Sequence, residues 1–370
     1  MTPSIPLIKV NVGKEELEAV KRVFDSGFLA QGPTTKKFEQ EFAKYIQAKH
    51  ASATTSCTTA LQLAVASLGI SKGDEVIVPS FTFPASANAV AREGAKPVFA
   101  DVSLDTFNAD PVSIEEKITD HTKAIMPIHL FGQAADMDAV NAIAKKHGLK
   151  VIEDAACAAG TRFKGKHVGT LGDFGCFSFH PRKILTTGEG GMITTNQDDL
   201  AEVAESLKDH GKAVEGEKIV FKRPGFNFRL SDILSAIGIE QLKKLDATIK
   251  RRQELAKKYS ELLEDTEGIW TPKTTSYSNH TFQSYVLLLD KKGARDKIIK
   301  ALAEKGIQSQ IGTYAVHLQP AYSSQGWKSG DCPNSETAFA DTLTLPLYTQ
   351  MTNEEQDKVV KELKNALEEV

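Results

Sequence analysis

Phe177-Ser-Phe-His-Pro-Arg-Lys183-Ile-Leu-Thr-Thr-Gly-Glu-Gly-Gly191 runs from an apolar strand into a polar turn that holds one lysine. A glycine-rich loop follows, and then a second apolar run, Gly191-Met-Ile-Thr-Thr195. Similar short apolar runs precede it at Glu75–Pro79, Pro97–Ala100, Ala124–Ile128, Val151–Asp154 and Phe174–Phe179, with a short strand expected at about 51–54. Helical stripes separate them. Glu15–Phe24 carries apolar residues at 17, 20, 23 and 24, and Thr58–Leu68 carries them at 61, 64, 65 and 68. Further helices are expected near 84–92, 111–118 and 136–147. Short apolar strands alternating with helices predict an α/β fold with a mostly parallel sheet covered on both faces. Binding groups then gather at the carboxyl ends of the strands.

From about Ser231 the texture changes. A long helical pattern runs from Asp232 to about Leu263. A strand is expected at Ser284–Leu289, a helix at Ala294–Lys305 and a terminal helix from Asn353. The expected division is a large α/β domain over residues 1–245, including the N-terminal segment, and a smaller α+β domain over 246–370.

The chain has 370 residues, 41% hydrophobic and 25% charged, with 45 Lys+Arg against 48 Asp+Glu. That composition is ordinary for a globular protein, and the small net charge calls for neither nucleic acid nor an anionic membrane. No stretch of about 20 apolar residues is present, so no transmembrane helix is expected. The opening Met-Thr-Pro-Ser-Ile-Pro lacks the charged and apolar regions of a secretory signal, so the expected compartment is the cytoplasm. Cys57, Cys157, Cys176 and Cys332 form no CxxC pair and read as free thiols, and no metal site is expected, since zinc needs ligands at short spacing.

Four places carry chemistry. Lys183 lies just past a strand end among small residues, where a neutral amine suits Schiff-base chemistry. Asp154 ends the buried run Val151-Ile-Glu-Asp154 and is followed by small residues, which leaves room for a flat ring whose protonated nitrogen it can hold. Thr55-Ser-Cys-Thr-Thr-Ala60 puts hydroxyls at a helix start, where free N–H groups favour a phosphate. Pro79-Ser-Phe-Thr-Phe-Pro84 places aromatic rings just beyond a strand. Each has an ordinary alternative: a solvated loop lysine, an Asp-capped turn, a Ser/Thr N-cap, a packed core ring. Gly188-Glu-Gly-Gly191 is not GxGxxG, which argues against a nicotinamide dehydrogenase.

In that order the motifs resemble the DegT/DnrJ/EryC1/StrS family of nucleotide-sugar aminotransferases, fold type I enzymes that use pyridoxal 5′-phosphate. The resemblance runs from Val23-Phe-Asp-Ser-Gly-Phe-Leu-Ala-Gln-Gly-Pro33 through His129-Leu-Phe-Gly-Gln-Ala-Ala-Asp-Met137 and Thr187-Gly-Glu-Gly-Gly-Met192. It continues to Gly225-Phe-Asn-Phe-Arg-Leu-Ser-Asp232 and His317-Leu-Gln-Pro-Ala-Tyr322. It implies a homodimer with shared sites, taking an amino group from an amino acid, glutamate by expectation, to a nucleotide-linked ketosugar by a ping-pong route.

By position, Lys183 resembles the aldimine lysine and Asp154 the ring-nitrogen partner. Thr58 and Ser178 resemble phosphate ligands, with Cys57 beside them. Phe83 resembles the stacking aromatic, and Asn227 the residue that reaches the phosphate across the dimer. His180, His317 and Arg229 are expected on the substrate side. Two departures stand out. Cys57 replaces a glycine of the phosphate loop, which excludes a positive φ there. Cys157 replaces the Gln or His that touches the cofactor's ring hydroxyl. Two rivals remain: a same-scaffold dehydratase, which carries His where this chain has Lys183, and a regulatory protein that binds the cofactor without turnover.

Overall fold

A computed structural model describes residues 4–369. Seven strands form the central sheet: β1 (His50–Thr54), β2 (Glu75–Pro79), β3 (Lys96–Ala100), β4 (Thr122–Ile125), β5 (Lys150–Asp154), β6 (Phe174–Ser178) and β7 (Gly191–Thr195). Their order is β3-β2-β4-β5-β6-β7-β1. The pairs from β3 to β6 are parallel, while β7 runs antiparallel to both β6 and β1. The sheet is thus mostly parallel, as expected, with β7 alone reversed.

Side chains alternate across a strand, and here they sort into two apolar layers. Ile77, Ile125, Val151, Phe177 and Met192 pack in one, with residues of helices Pro33–Ile46 and Met137–His147. Val76, Ala124, Ile152, Cys176 and Ile193 pack in the other, with Cys57–Ser67 and Ala85–Arg92. Asp154 shares the parity of Ile152, so its carboxylate points to the second layer. On the first layer Phe177 and Phe179 meet Phe42 and Phe38 at 5.1 and 5.4 Å between ring centroids. Such pairs contribute about 0.5–1.5 kcal/mol each beyond area burial. They fix the strand end that leads to Lys183.

The helix Asp232–Leu263 is unbroken through residue 245. Ile239, Leu242, Leu245 and Ile249 pack in the sheet core, and Leu255, Ala256, Tyr259 and Leu263 in a separate C-terminal core. That second core lies on a four-stranded sheet in the order Ile269–Trp270, Tyr285–Leu289, Thr342–Leu345, Gln310–Ile311, with every pair antiparallel. We propose that the two units meet inside this helix. The first described residues pair with the second unit. Ile5 lies in its core, the Ile5 N–H donates to Gly306 O at 3.1 Å, and the Leu347 N–H donates to Leu7 O at 3.0 Å. Among the described residues no helix is long and apolar enough to cross a membrane.

Candidate active site

The carboxyl ends of β1, β2, β5 and β6 bring the predicted groups to one end of the sheet. Asp154, the last residue of β5, is buried. Its Oδ2 accepts from Ser86 Oγ at 2.7 Å and its Oδ1 from the Ala156 N–H at 3.0 Å. Burial pushes its carboxyl above the usual range, and Ser86, Ala156 and the nearby Lys183 charge oppose that rise. Ser86, on the helix after Phe83, has no sequence signal of its own.

Its neighbour Glu153 points the other way and holds structure. Its oxygens accept the N–H groups of Gly169, Leu171 and Gly172 at 2.6–2.7 Å, and His129 Nε2 lies 3.0 Å away. The Ala135 N–H donates to His129 Nδ1 at 3.0 Å, so Nε2 carries the ring proton toward Glu153.

Lys183 follows the turn at His180, where its N–H donates to His180 O at 2.8 Å. The Arg182 carbonyl accepts from Gln283 Nε2 at 3.0 Å, so the second unit braces this turn. The loop closes on itself: the Thr187 N–H reaches Phe179 O and the Phe179 N–H reaches Gly190 O, both at 2.9 Å. Gly188 sits at φ +90°, a left-handed conformation that side-chain-bearing residues rarely adopt. Lys183 Nζ donates to Cys157 Sγ at 3.1 Å. Burial lowers the pKa of this amine, but negative charge and a hydrogen bond at Cys157, with Cys57 and Asp154 behind them, carry it above the ordinary lysine value. Cys157, expected at a cofactor hydroxyl, faces the lysine nitrogen.

Cys57 is the first residue of its helix with ordinary helical backbone, so the replaced glycine costs nothing in φ. The Ser56 side chain caps the helix by accepting the Thr59 N–H at 3.2 Å. The amides of Cys57 and Thr58 belong to the first turn, which has no intrahelical acceptors. Thr58 is exposed. Gly191 makes this packing possible, because a Cβ there would lie 2.4 Å from Ser56 C. Ser178, buried at the end of β6, is near enough for its hydroxyl to accept the His180 N–H at 3.4 Å. Phe83 is 65% exposed, which rules out core packing for this ring. Its neighbour is Tyr314 at 6.4 Å, brought there by pairing of Phe81–Thr82 with Tyr314–Ala315.

The Gly225–Asp232 segment runs beside the same loop. The Thr55 N–H donates to Phe228 O at 3.0 Å, and Asn227 is exposed. Although burial pushes the Asp232 carboxyl up, bonds from Thr35, Thr34 and Gly32 hold it below the usual range. Two residues expected on the substrate side have partners within the chain. Arg229 is ion-paired with Asp209, so its charge is met inside the chain. His317 is fully buried; its Nδ1 lies 2.5 Å from Ser80 Oγ and its Nε2 3.2 Å from Glu336 Oε1. Both ring nitrogens are engaged, so His317 links Ser80 of the first unit to Glu336 of the second. His180 stays partly exposed, with its pKa lowered by burial, and its Nδ1 accepts the Arg182 N–H at 3.2 Å.

A lysine amine, a buried carboxylate one strand away, a first-turn phosphate cradle and an exposed ring fit pyridoxal 5′-phosphate in both shape and charge. Fold and site together define a fold type I enzyme dependent on that cofactor.

Residues 10–364 match the model of the DegT/DnrJ/EryC1/StrS aminotransferase family. The chain is 40% identical over 380 residues to the spore coat polysaccharide biosynthesis protein SpsC of Bacillus subtilis, covering 98% of this chain and 96% of that one. It is 39% identical over 369 residues to GDP-perosamine synthase of Caulobacter vibrioides, covering 99% of each. The solved structure of S. venezuelae DesV, in complex with a ketimine intermediate, superposes with a TM-score of 0.93 at 35% identity, covering 100% of both chains. The chain belongs to the DegT/DnrJ/EryC1/StrS aminotransferase family.

Proposed function

We propose that the protein moves an amino group from an amino acid, glutamate as the expected donor, to the keto group of a nucleotide-linked deoxy-ketosugar. The observation that carries this reading is the meeting of Lys183 and Asp154 at one end of the sheet, beside the first-turn amides of Cys57 and Thr58. When bound, pyridoxal phosphate supplies the electron sink. Asp154 holds the ring-nitrogen proton by charge, and Ser86 and Ala156 orient the carboxylate. Thr58, Ser178 and the free amides receive the phosphate, and Phe83 covers one ring face. Lys183 supplies the amine that moves a proton during transfer. His180 stands on the substrate side. The names of the relatives, a polysaccharide biosynthesis protein and a GDP-sugar synthase, support the sugar acceptor.

A homodimer in the cytoplasm with shared sites belongs to the same reading. Exposed apolar side chains favour a covered face: Phe24, Phe28 and Leu29 in one segment, and Val214, Ile219 and Phe221 on the hairpin Lys212–Phe221. Asn227 follows that hairpin and is the residue proposed to reach the partner's phosphate. A panel of ketosugar nucleotides incubated with glutamate and read by mass tests the reaction. A gain of an amino group on one member supports it. Binding of the cofactor with no single-turnover conversion of any donor points instead to the regulatory alternative.

A further inference from the structure

Arg252 lies on the long helix Asp232–Leu263 and is buried. Its guanidinium donates to backbone carbonyls: Nε to Phe282 O at 2.7 Å, Nη2 to Gln283 O at 2.6 Å and Nη1 to Leu347 O at 3.1 Å. Hydrogen bonds from a charged donor are stronger than neutral ones. The backbone they hold is strained. Phe282 sits at φ +49°, and Phe131, whose carbonyl accepts the Gln283 N–H at 2.9 Å, sits at φ +56°. A bulky residue at positive φ persists only where its surroundings over-determine it, and such strain gathers at functional sites. Gln283 is the residue this clamp places. It is buried, and its Nε2 donates to Arg182 O at 3.0 Å, one residue before Lys183.

We propose that Gln283 is a positioning residue for Lys183 and that Arg252 is the clamp that fixes Gln283. The bonds from Arg252 through Gln283 to Arg182 O set the turn that the Lys183 N–H closes on His180 O, so the second unit fixes where the lysine side chain begins. Gln283 acts through the backbone, not on the reacting atoms. The proposal rests on reading Lys183 as the cofactor lysine for its catalytic meaning, and on the hydrogen bonds alone for its structural one.

The test compares the full-length, cofactor-loaded wild type with two variants. Gln283→Leu removes the donor at similar volume, and Gln283→Glu sets an acceptor against the Arg182 carbonyl. Hydrogen exchange read by mass spectrometry reports the turn directly. Peptides over Phe179–Thr187 should exchange about tenfold faster in both variants, for the loss of one hydrogen bond, while β6 keeps its protection. The half-reaction with glutamate should slow by roughly ten- to a hundredfold at an unchanged KM, because a small misplacement of the reacting group costs that much. Visible circular dichroism per bound cofactor should fall with it. Adding Arg252→Lys to Gln283→Leu should slow the half-reaction no further, since both act along one chain of contacts. Should the double variant fail to fold, Gln283→Leu alone decides. Wild-type exchange in the turn of Gln283→Leu overturns the proposal, and so does exchange raised equally in β6, which marks general loosening. Borohydride and peptide mapping of the wild type judge the cofactor reading separately. An adduct on Lys183 with both variants unaltered overturns the positioning alone, whereas an adduct on another lysine overturns the catalytic meaning and leaves the exchange result to decide the structural one.

Discussion

Ser86 donates a 2.7 Å hydrogen bond to Asp154, joining the helix after β2 to the end of β5 across 68 residues of sequence. Burial alone pushes the Asp154 carboxyl up, and this bond is the largest force against that rise. Removing it leaves a buried carboxylate with one fewer donor. Ser86→Ala should cost about 1–3 kcal/mol of stability at pH 7, less near pH 4 where the carboxyl takes a proton. Turnover should fall by about tenfold, through poorer support of the ring nitrogen. Urea unfolding at both pH values and steady-state rates check this. Unchanged stability at pH 7 would remove Ser86 from the site.

His317 ties Ser80, just beyond β2, to Glu336 on the helix Pro333–Asp341. His317→Ala leaves a cavity and removes the ring's bonds to Ser80 and Glu336, while Glu336 keeps its bonds from Ser329 and Gly330, so a loss of roughly 2–4 kcal/mol is expected. Below its melting temperature the variant should keep a near wild-type KM for the sugar nucleotide. A raised KM with an unchanged melting temperature would place His317 on the substrate side.

Much of the fold is legible in the sequence, because strands buried on both faces read as short apolar runs. Glu75–Pro79 and Gly191–Thr195 form over the residues expected. The direction of β7 is not legible, since nothing in Gly-Met-Ile-Thr-Thr encodes which way a strand runs. The helix Pro33–Ile46 shows Phe38, Phe42 and Ile46 at helical spacing and needed only that count. The hairpin Lys212–Phe221 has no buried face, so it carries no pattern. In the site, the strand-end groups Asp154 and Lys183 are local features of single motifs. The engagement of His317 and Arg229, and the support from Ser86, depend on contacts between distant segments.

Acid should weaken the fold before its carboxylates titrate. His167 is buried with neither ring nitrogen bonded, and burial, with Arg162 nearby, lowers its pKa to about 4 against the opposing Asp246 charge. Burial lowers His280 to about 3, and its ring stacks on Phe282 at 3.9 Å. Above pH 6.5 both are neutral in either state and contribute nothing to the pH dependence. As pH falls below 6.5 the unfolded chain takes up protons that the native one refuses, so stability drops, for His167 by roughly 3 kcal/mol by pH 4. Glu16, lowered to about 2 by Lys244, Gln241 and Gly13 against the pull of burial, adds a loss only below about pH 4.5. Between pH 6.5 and 5 the melting curve of His167→Leu should therefore fall less steeply than wild type. Parallel curves would contradict the assignment.

The central claim is that Lys183 holds the cofactor. The direct measurement is borohydride reduction of the purified, cofactor-loaded protein, followed by peptide mapping of wild type and Lys183→Ala. The account predicts a pyridoxyl phosphate adduct on the peptide containing Lys183, a matching visible absorbance before reduction, and neither in the variant, whose turnover falls by several orders of magnitude. An adduct on another lysine, or wild-type turnover in Lys183→Ala, would contradict it.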